Sequence, residues 1–349
     1  MLSASLAIPG LVGAGDPWLS FEAQPSRPVV LETAAGRDAV VSLVVRNTTE
    51  RRVRVEEVRV AWSSGPASAQ SAFAAAGLAL PLEIDGGSRE TWSGLCLDPP
   101  SRGVERVRLE MVLSIRHGLR RERREQTLEI PLRTPGAPLV LELPFADAWR
   151  VTQGHGCTSQ HRRGKLGGEF AWDLAAVSEG AVSYRNEDNA TFGREVAAPV
   201  AGTVVTAVDG IADNDEQREF PRRSLVDSAL APRWIFGNYV VIDAGGGRFV
   251  LIAHLMKGSV AVKAGDLLTP GRPIGKAGNS GNTMLPHVHL QVMDRADPAD
   301  REASGLPAVF RDYVEFTVRG TATIRDASVR RVPSGDPPED AIVMRPEAR

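Results

Sequence analysis

The sequence predicts an all-β protein built from two domains. Three observations carry that prediction: β-branched runs with period-two alternation in the first part of the chain, a proline- and glycine-bearing break at Thr134–Pro138, and short apolar strands separated by glycine-rich loops beyond it. In the first part, strand-like runs cover Ala39–Arg46, Val53–Trp62 and Val104–Ile115. The third run puts Val107, Leu109, Met111, Leu113 and Ile115 on one face, opposite Arg108, Glu110 and Ser114, the pattern of a half-buried antiparallel strand. A turn at His117-Gly118 and a return strand Gln126–Leu132 complete a hairpin. Five or more such strands predict an immunoglobulin-like β-sandwich over residues 20–137. The basic stretch Arg116–Arg124, with Glu122 and Glu125 interspersed, is expected as a solvated hairpin end. Met1–Gly15 is weakly apolar and lacks a basic n-region, so residues 1–19 are expected as a poor leader or a disordered segment.

The second domain is expected over residues 138–325. Two polar insertions, Ser178–Glu195 and Ile211–Arg233, are too long for simple turns and have the length of loops that wall a groove. Asp213, Asp215 and Glu216 in the second insertion match no calcium-loop spacing and are expected as solvated acidic residues. A last strand is expected around Tyr313–Phe316, with a loosely ordered tail over 326–349.

Chemistry concentrates where three of the chain's six histidines fall, at His254 and at Pro286-His287-Val288-His289-Leu290. On an extended strand His287 and His289 share a face, roughly 6–7 Å apart. Val288 and Leu290 turn to the other, apolar side. The preceding run Gly275–Thr283 has the composition of a tight loop with several positive-φ positions. Two histidines are an incomplete metal site, which in catalytic zinc centres takes three protein ligands. Asp173, alone in the apolar strand Glu169–Ala175, requires a partner, either a hydrogen-bonded turn or a cation.

The order of motifs from about 150 to 295 resembles the lysostaphin/LytM-type zinc metalloendopeptidases, peptidase family M23. The resemblance rests on Thr158-Ser159-Gln160-His161, Phe170–Ala175 (FAWDLA), Val196–Val205 (VAAPVAGTVV), Gly237–Asp243 (GNYVVID), Ala253-His254-Leu255, Val262–Asp266 (VKAGD) and Pro286–Leu290 (PHVHL). It implies a duplicated-hybrid-motif β fold with a groove above its central sheet. By the same resemblance, one zinc ion is held by His161, Asp173 and His289. His287 and His254 form the unliganded catalytic pair, with His287 as general base and His254 orienting the water or stabilising the oxyanion. The implied reaction is hydrolysis of peptide bonds, most often in peptidoglycan, by a secreted, periplasmic or cell-wall-associated protein. The alternative within the same fold is a catalytically silent zinc-binding or regulatory cell-wall module, and a phosphotransfer domain of this fold leaves Asp173 unexplained.

The chain departs from the commonest family pattern in two places. Twelve positions separate His161 from Asp173 where the family usually has three intervening residues, so His155 and Glu169 stand as substitutes for the first ligand. Gln291 also stands where a glutamate often follows the His-x-His pair.

Composition sets the remaining bounds. A net charge of −2 over 349 residues argues against nucleic acid as a dominant electrostatic partner. No run approaches the roughly 18–20 apolar residues of a membrane span. Cys96 and Cys157, the two cysteines, offer neither a disulfide framework nor a cysteine-rich zinc site, and Cys157 is expected as an ordinary small thiol near His161.

Overall fold

In the computed structural model the described residues are 16–24, 28, 30–33, 36–64, 67–70, 80–97, 104–133, 136–155, 159, 161, 166–178, 183–214, 232–300, 302–317 and 328–346. They form two compact all-β units, divided between Gly136 and Ala137. Among them no helix is long and apolar enough to cross a membrane. Asp215, Glu216 and Cys157 lie outside the described residues, as does the side chain of Cys96.

The first unit contains β1 (Leu19–Gln24), β2 (Val30–Thr33), β3 (Gly36–Asn47), β4 (Val53–Ser64), β5 (Ala67–Gln70), β6 (Leu82–Ile84), β7 (Arg89–Leu97), β8 (Arg106–His117) and β9 (Arg120–Pro131). One sheet joins β1, β2 and β7 to β3, and the other runs β5-β4-β8-β9 with β6 also on β4. Alternate residues of both sheets, among them Val41, Leu43 and Val45 against Val55, Leu109 and Leu113, meet in one apolar core, so the unit is a two-layer sandwich. The expected face of β8 is buried from Val107 to Ile115. The return strand starts at Arg120 rather than Gln126, because the basic stretch continues the ladder to the pair His117↔Arg120. Arg121 and Arg123 there share the Glu56 carboxylate at 2.9 and 3.1 Å. Trp18 and Leu19, placed with the leader by composition, are buried in the sandwich.

The second unit contains β10 (Leu139–Leu141), β11 (Trp149–Gln153), β12 (Trp172–Ala176), β13 (Glu195–Ala197), β14 (Gly202–Val208), β15 (Asn238–Asp243), β16 (Phe249–Leu255), β17 (Leu267–Leu268), β18 (Pro273–Lys276), β19 (Val288–Met293), β20 (Ala308–Thr317), β21 (Ser328–Gly335) and β22 (Ile342–Met344). Eleven of these strands make one sheet, in the order β10-β20-β22-β11-β12-β19-β16-β15-β14-β17 with β21 on β20. One face of the central strands, through Trp172, Leu174, Val250, Ile252, Val288 and Leu290, closes the main core. The opposite face carries a smaller cluster of Phe236, Tyr239, Leu251, Ala253 and Met293.

The expectation of a loose tail over 326–349 is corrected here for its described residues, 328–346. β21 pairs with β20, and β22 lies between β20 and β11, with Ile342 and Val343 buried. Burial of the short apolar run Ala341–Val343 outweighs the polar, proline-bearing sequence around it.

Candidate active site

The site lies on the β12-β19-β16 strip, on the face carrying the smaller apolar cluster. Cross-strand register places Asp173 opposite His289 and His289 opposite Ala253, so the carboxylate and the imidazole stand side by side on one face. His287 precedes β19 by one residue and reaches the same face two positions before His289, through an isolated bridge with Gly278. His254 arrives differently. As the neighbour of Ala253 it would by strand alternation face the other side. Two residues of β16, Ala253 and His254, oppose one of β15 between the pairs Val240↔Ile252 and Asn238↔Leu255, a β-bulge. His254 takes φ +61°, and its ring comes to 4.7 Å from His287 and 5.8 Å from His289 between centroids.

His161 stands at the site, and between it and β12 Leu166 (+85°) and Gly167 (+71°) take positive φ. Its Nε2 lies 3.1 Å from Asp173 Oδ2. Asp173 Oδ1 faces His289 Nδ1 at 3.0 Å and His287 Nε2 at 3.3 Å. The ligating atoms of His161, Asp173 and His289 all lie within 4.8 Å of one another. The two substitutes for the first ligand are engaged elsewhere. His155 Nδ1 pairs with Asp336 at 2.9 Å while its ring packs on Trp172, and Glu169 accepts the Gly305 N–H at 2.6 Å.

Burial alone would push the Asp173 carboxyl up, but the imidazoles of His287 and His161 hold it well below the usual carboxylate range. Burial pushes His254 well below the ordinary imidazole value, and the neighbouring His287 and His289 add to this, so its ring is neutral at pH 7. Burial also opposes charge on His287, yet the Asp173 carboxylate outweighs it and raises the ring. For His289, burial prevails over the hydrogen bond to Asp173 and the net direction is down.

Both nitrogens of His289 face oxygen acceptors. The amide of Gln291 is oriented by its Nε2 donating to Leu166 O at 2.9 Å, which turns Oε1 toward His289 Nε2 at 2.8 Å. That makes Nε2 the protonated nitrogen of His289 and leaves the Nδ1 lone pair aimed at a buried carboxylate. The arrangement calls for a positive centre between them, a proton or a metal ion. Two imidazoles and a carboxylate suit zinc.

The loop from Gly278 to Leu285 supports the two other histidines. His254 Nδ1 donates to Ser280 O at 2.8 Å and His287 Nδ1 to Leu285 O at 2.8 Å, so in its neutral form each ring turns Nε2 inward as a lone pair. This loop packs tightly on the start of β15. A Cβ on Gly237, where φ is +60°, would fall 2.3 Å from Ser280 O. Gly237→Ala is expected to destabilise the protein by roughly 2–4 kcal/mol, read from the denaturant midpoint, because backbone strain and overpacking add. An unchanged midpoint would show that the loop yields freely.

Asp213 is partly exposed, as its loop composition predicts, but it also has a structural role. Its oxygens accept the Lys257 and Asn279 N–H groups at 3.0 and 2.8 Å. Sequence reasoning missed this and the asparagines around it, whose partners are distant in sequence.

Comparison with known proteins places the site in context. Residues 183–301 match the description Peptidase family M23. A stretch of 115 residues is 28% identical to the peptidoglycan DD-endopeptidase ShyA of Vibrio cholerae serotype O1, covering 33% of this chain and 23% of that protein. A stretch of 71 residues is 37% identical to the peptidoglycan DD-endopeptidase ShyB of the same organism, covering 20% of this chain and 16% of the relative. The match thus spans less than a quarter of either relative. Among solved structures, a mutant catalytic domain of the prophage-encoded M23 protein EnpA from Enterococcus faecalis aligns at TM-score 0.29 and 18% identity, over 48% of this chain and 93% of that one. A zinc-containing peptidase from Vibrio cholerae aligns at TM-score 0.25 and 16% identity, over 77% of this chain and 57% of that one.

Proposed function

We propose, from the premise that this chain carries a domain of peptidase family M23 of the lysostaphin/LytM type, that it is a zinc metalloendopeptidase hydrolysing peptide bonds in peptidoglycan cross-links. His161, Asp173 and His289 hold one zinc ion in this reading, and the observation that carries it is the convergence of their ligating atoms beside a second histidine pair. Bound there, zinc supplies a Lewis acid that polarises a carbonyl and brings water to nucleophilic strength near neutral pH.

The protein's own groups do the rest. His287 presents Nε2 as a lone pair and has the Asp173 carboxylate at 3.3 Å to stabilise its charged form, so it takes the proton of the attacking water and returns it to the leaving amine. His254, neutral and bound through Nδ1 to Ser280 O, presents an acceptor rather than a donor. That suits it to orient the water and not to hold an oxyanion. Gln291 keeps His289 in the tautomer that offers Nδ1 to the metal. A peptidoglycan substrate places the protein outside the cytoplasmic membrane, in the periplasm, the cell wall or the medium.

The test is zinc per chain on purified protein, together with release of new amino groups from peptidoglycan. One chelator-sensitive zinc with cleavage supports the reading. One zinc without cleavage favours the silent binding module, and absence of zinc overturns the ligand set. Within that assay His161→Ala is expected to lose zinc, whereas His155→Ala and Glu169→Ala retain it, since their side chains are committed to Asp336 and Gly305. The reverse pattern would move the first ligand.

A further inference from the structure

The histidine pair is held through one loop, and that loop is held in turn by a residue on the second polar insertion. Asn214 Nδ2 gives its two protons to Gly281 O at 2.9 Å and Thr283 O at 3.1 Å. Its backbone N–H donates to Asn279 O at 2.9 Å, and its backbone carbonyl accepts from Asn279 Nδ2 at 3.0 Å and from Asn186 Nδ2 at 2.9 Å. Within the loop so clasped, Thr283 Oγ1 donates to Leu285 O at 2.9 Å and lies 3.1 Å from His287 Nδ1. Asn279 and Ser280 are fully buried and Thr283 nearly so, while Asn214 is partly exposed at the rim of the loop.

We infer that Asn214 is a positioning residue for His287 and His254: it fixes the loop whose Leu285 and Ser280 carbonyl oxygens hold both rings in the Nδ1–H tautomer with Nε2 directed into the site. Asn214 touches neither ring and acts through carbonyl placement. A carbonyl displaced by about 1 Å no longer selects one tautomer, and misplacement on that scale costs up to about 100-fold in rate. The role in turnover rests on the hydrolase reading above, whereas the tautomer itself is measurable without turnover.

The experiment uses the zinc-loaded full chain with Asn214→Ala, and with Asn214→Asp as the variant that keeps the volume while losing both donors. Expected are one zinc per chain, KM on peptidoglycan fragments little changed, and kcat lower by roughly 10- to 100-fold. In a His287→Ala background the same substitutions are expected to lower kcat by a clearly smaller factor than in the parent, because of the two rings they position only His254 is left. Nitrogen NMR of the histidines is expected to show Nδ1–H for both rings in the parent and mixed tautomers in the variants. Unchanged kcat and unchanged tautomers in both variants overturn the inference, as does a full loss in the His287→Ala background, which would mark general damage to the fold. If the parent cleaves no peptidoglycan, the hydrolase reading fails while the NMR arm still decides the inference: mixed tautomers in the variants sustain it, and unchanged ones refute it.

Discussion

His289→Ala is expected to remove zinc and hydrolysis together. His289 supplies Nδ1 from the middle of β19, opposite Asp173 across the ladder, and no other imidazole among the described residues occupies that register position. His287 is near Asp173 but is bound through Nδ1 to Leu285 O, and its Nε2 belongs to the face of the site assigned to the proton. With His289 gone, two of the three proposed protein ligands would remain, fewer than the three usual in catalytic zinc centres. Zinc content should fall from about one per chain to background, and amino-group release from peptidoglycan should fall with it. The fold should persist, because the strand's apolar partners Val288, Leu290 and Val292 stay in the main core. Near-unfolding of the variant would weaken the argument, so the far-UV spectrum and thermal midpoint belong with the zinc measurement. Full zinc retention in a folded His289→Ala protein would sink the ligand assignment.

Asp173 and His289 were legible because a strand has period two, and a lone polar residue in an apolar run announces either a cost or a partner. The extended geometry of β8 was legible for the same reason, with five apolar residues at alternate positions. His254 was legible as a residue type and illegible as a geometry. Its φ of +61° belongs to a conformation that is uncommon for any residue but glycine, and a histidine inside an apolar strand run does not announce it. Without the bulge at Ala253-His254 the ring would face the main core.

The polar insertions hid the most. Asn186, Asn214 and Asn279 look like loop filler, yet they join one another across 28 to 93 positions of sequence. No local pattern reports such pairing. The closing strands were lost for a related reason. Ala341–Val343 is a signal three residues long, set among prolines, and its value as β22 depends on a slot between β20 and β11 that exists only once the sheet is built. Asp336, just before it, accepts from Trp172 Nε1 at 3.1 Å and holds His155. The segment expected to be loose therefore braces the strand that carries Asp173.

His287→Ala is expected to keep zinc and lose most of the rate, a result that separates proton transfer from metal binding. The residue contributes no atom to the convergent set of His161, Asp173 and His289. General-base catalysis contributes about 10²–10⁴-fold, so kcat should fall by that factor with zinc still near one per chain. His254 is the competing base, and the two rings are only 4.7 Å apart. Their surroundings distinguish them. His287 has a carboxylate oxygen 3.3 Å from Nε2, which would stabilise the imidazolium formed on taking up a proton from water. His254 lies deeper and is pushed well below the ordinary imidazole value by burial and by its histidine neighbours, which makes it the weaker proton acceptor. His254→Ala should therefore cost less than His287→Ala in kcat. Turnover retained in His287→Ala, together with its loss in His254→Ala, would exchange the two roles while leaving the metal centre where it is.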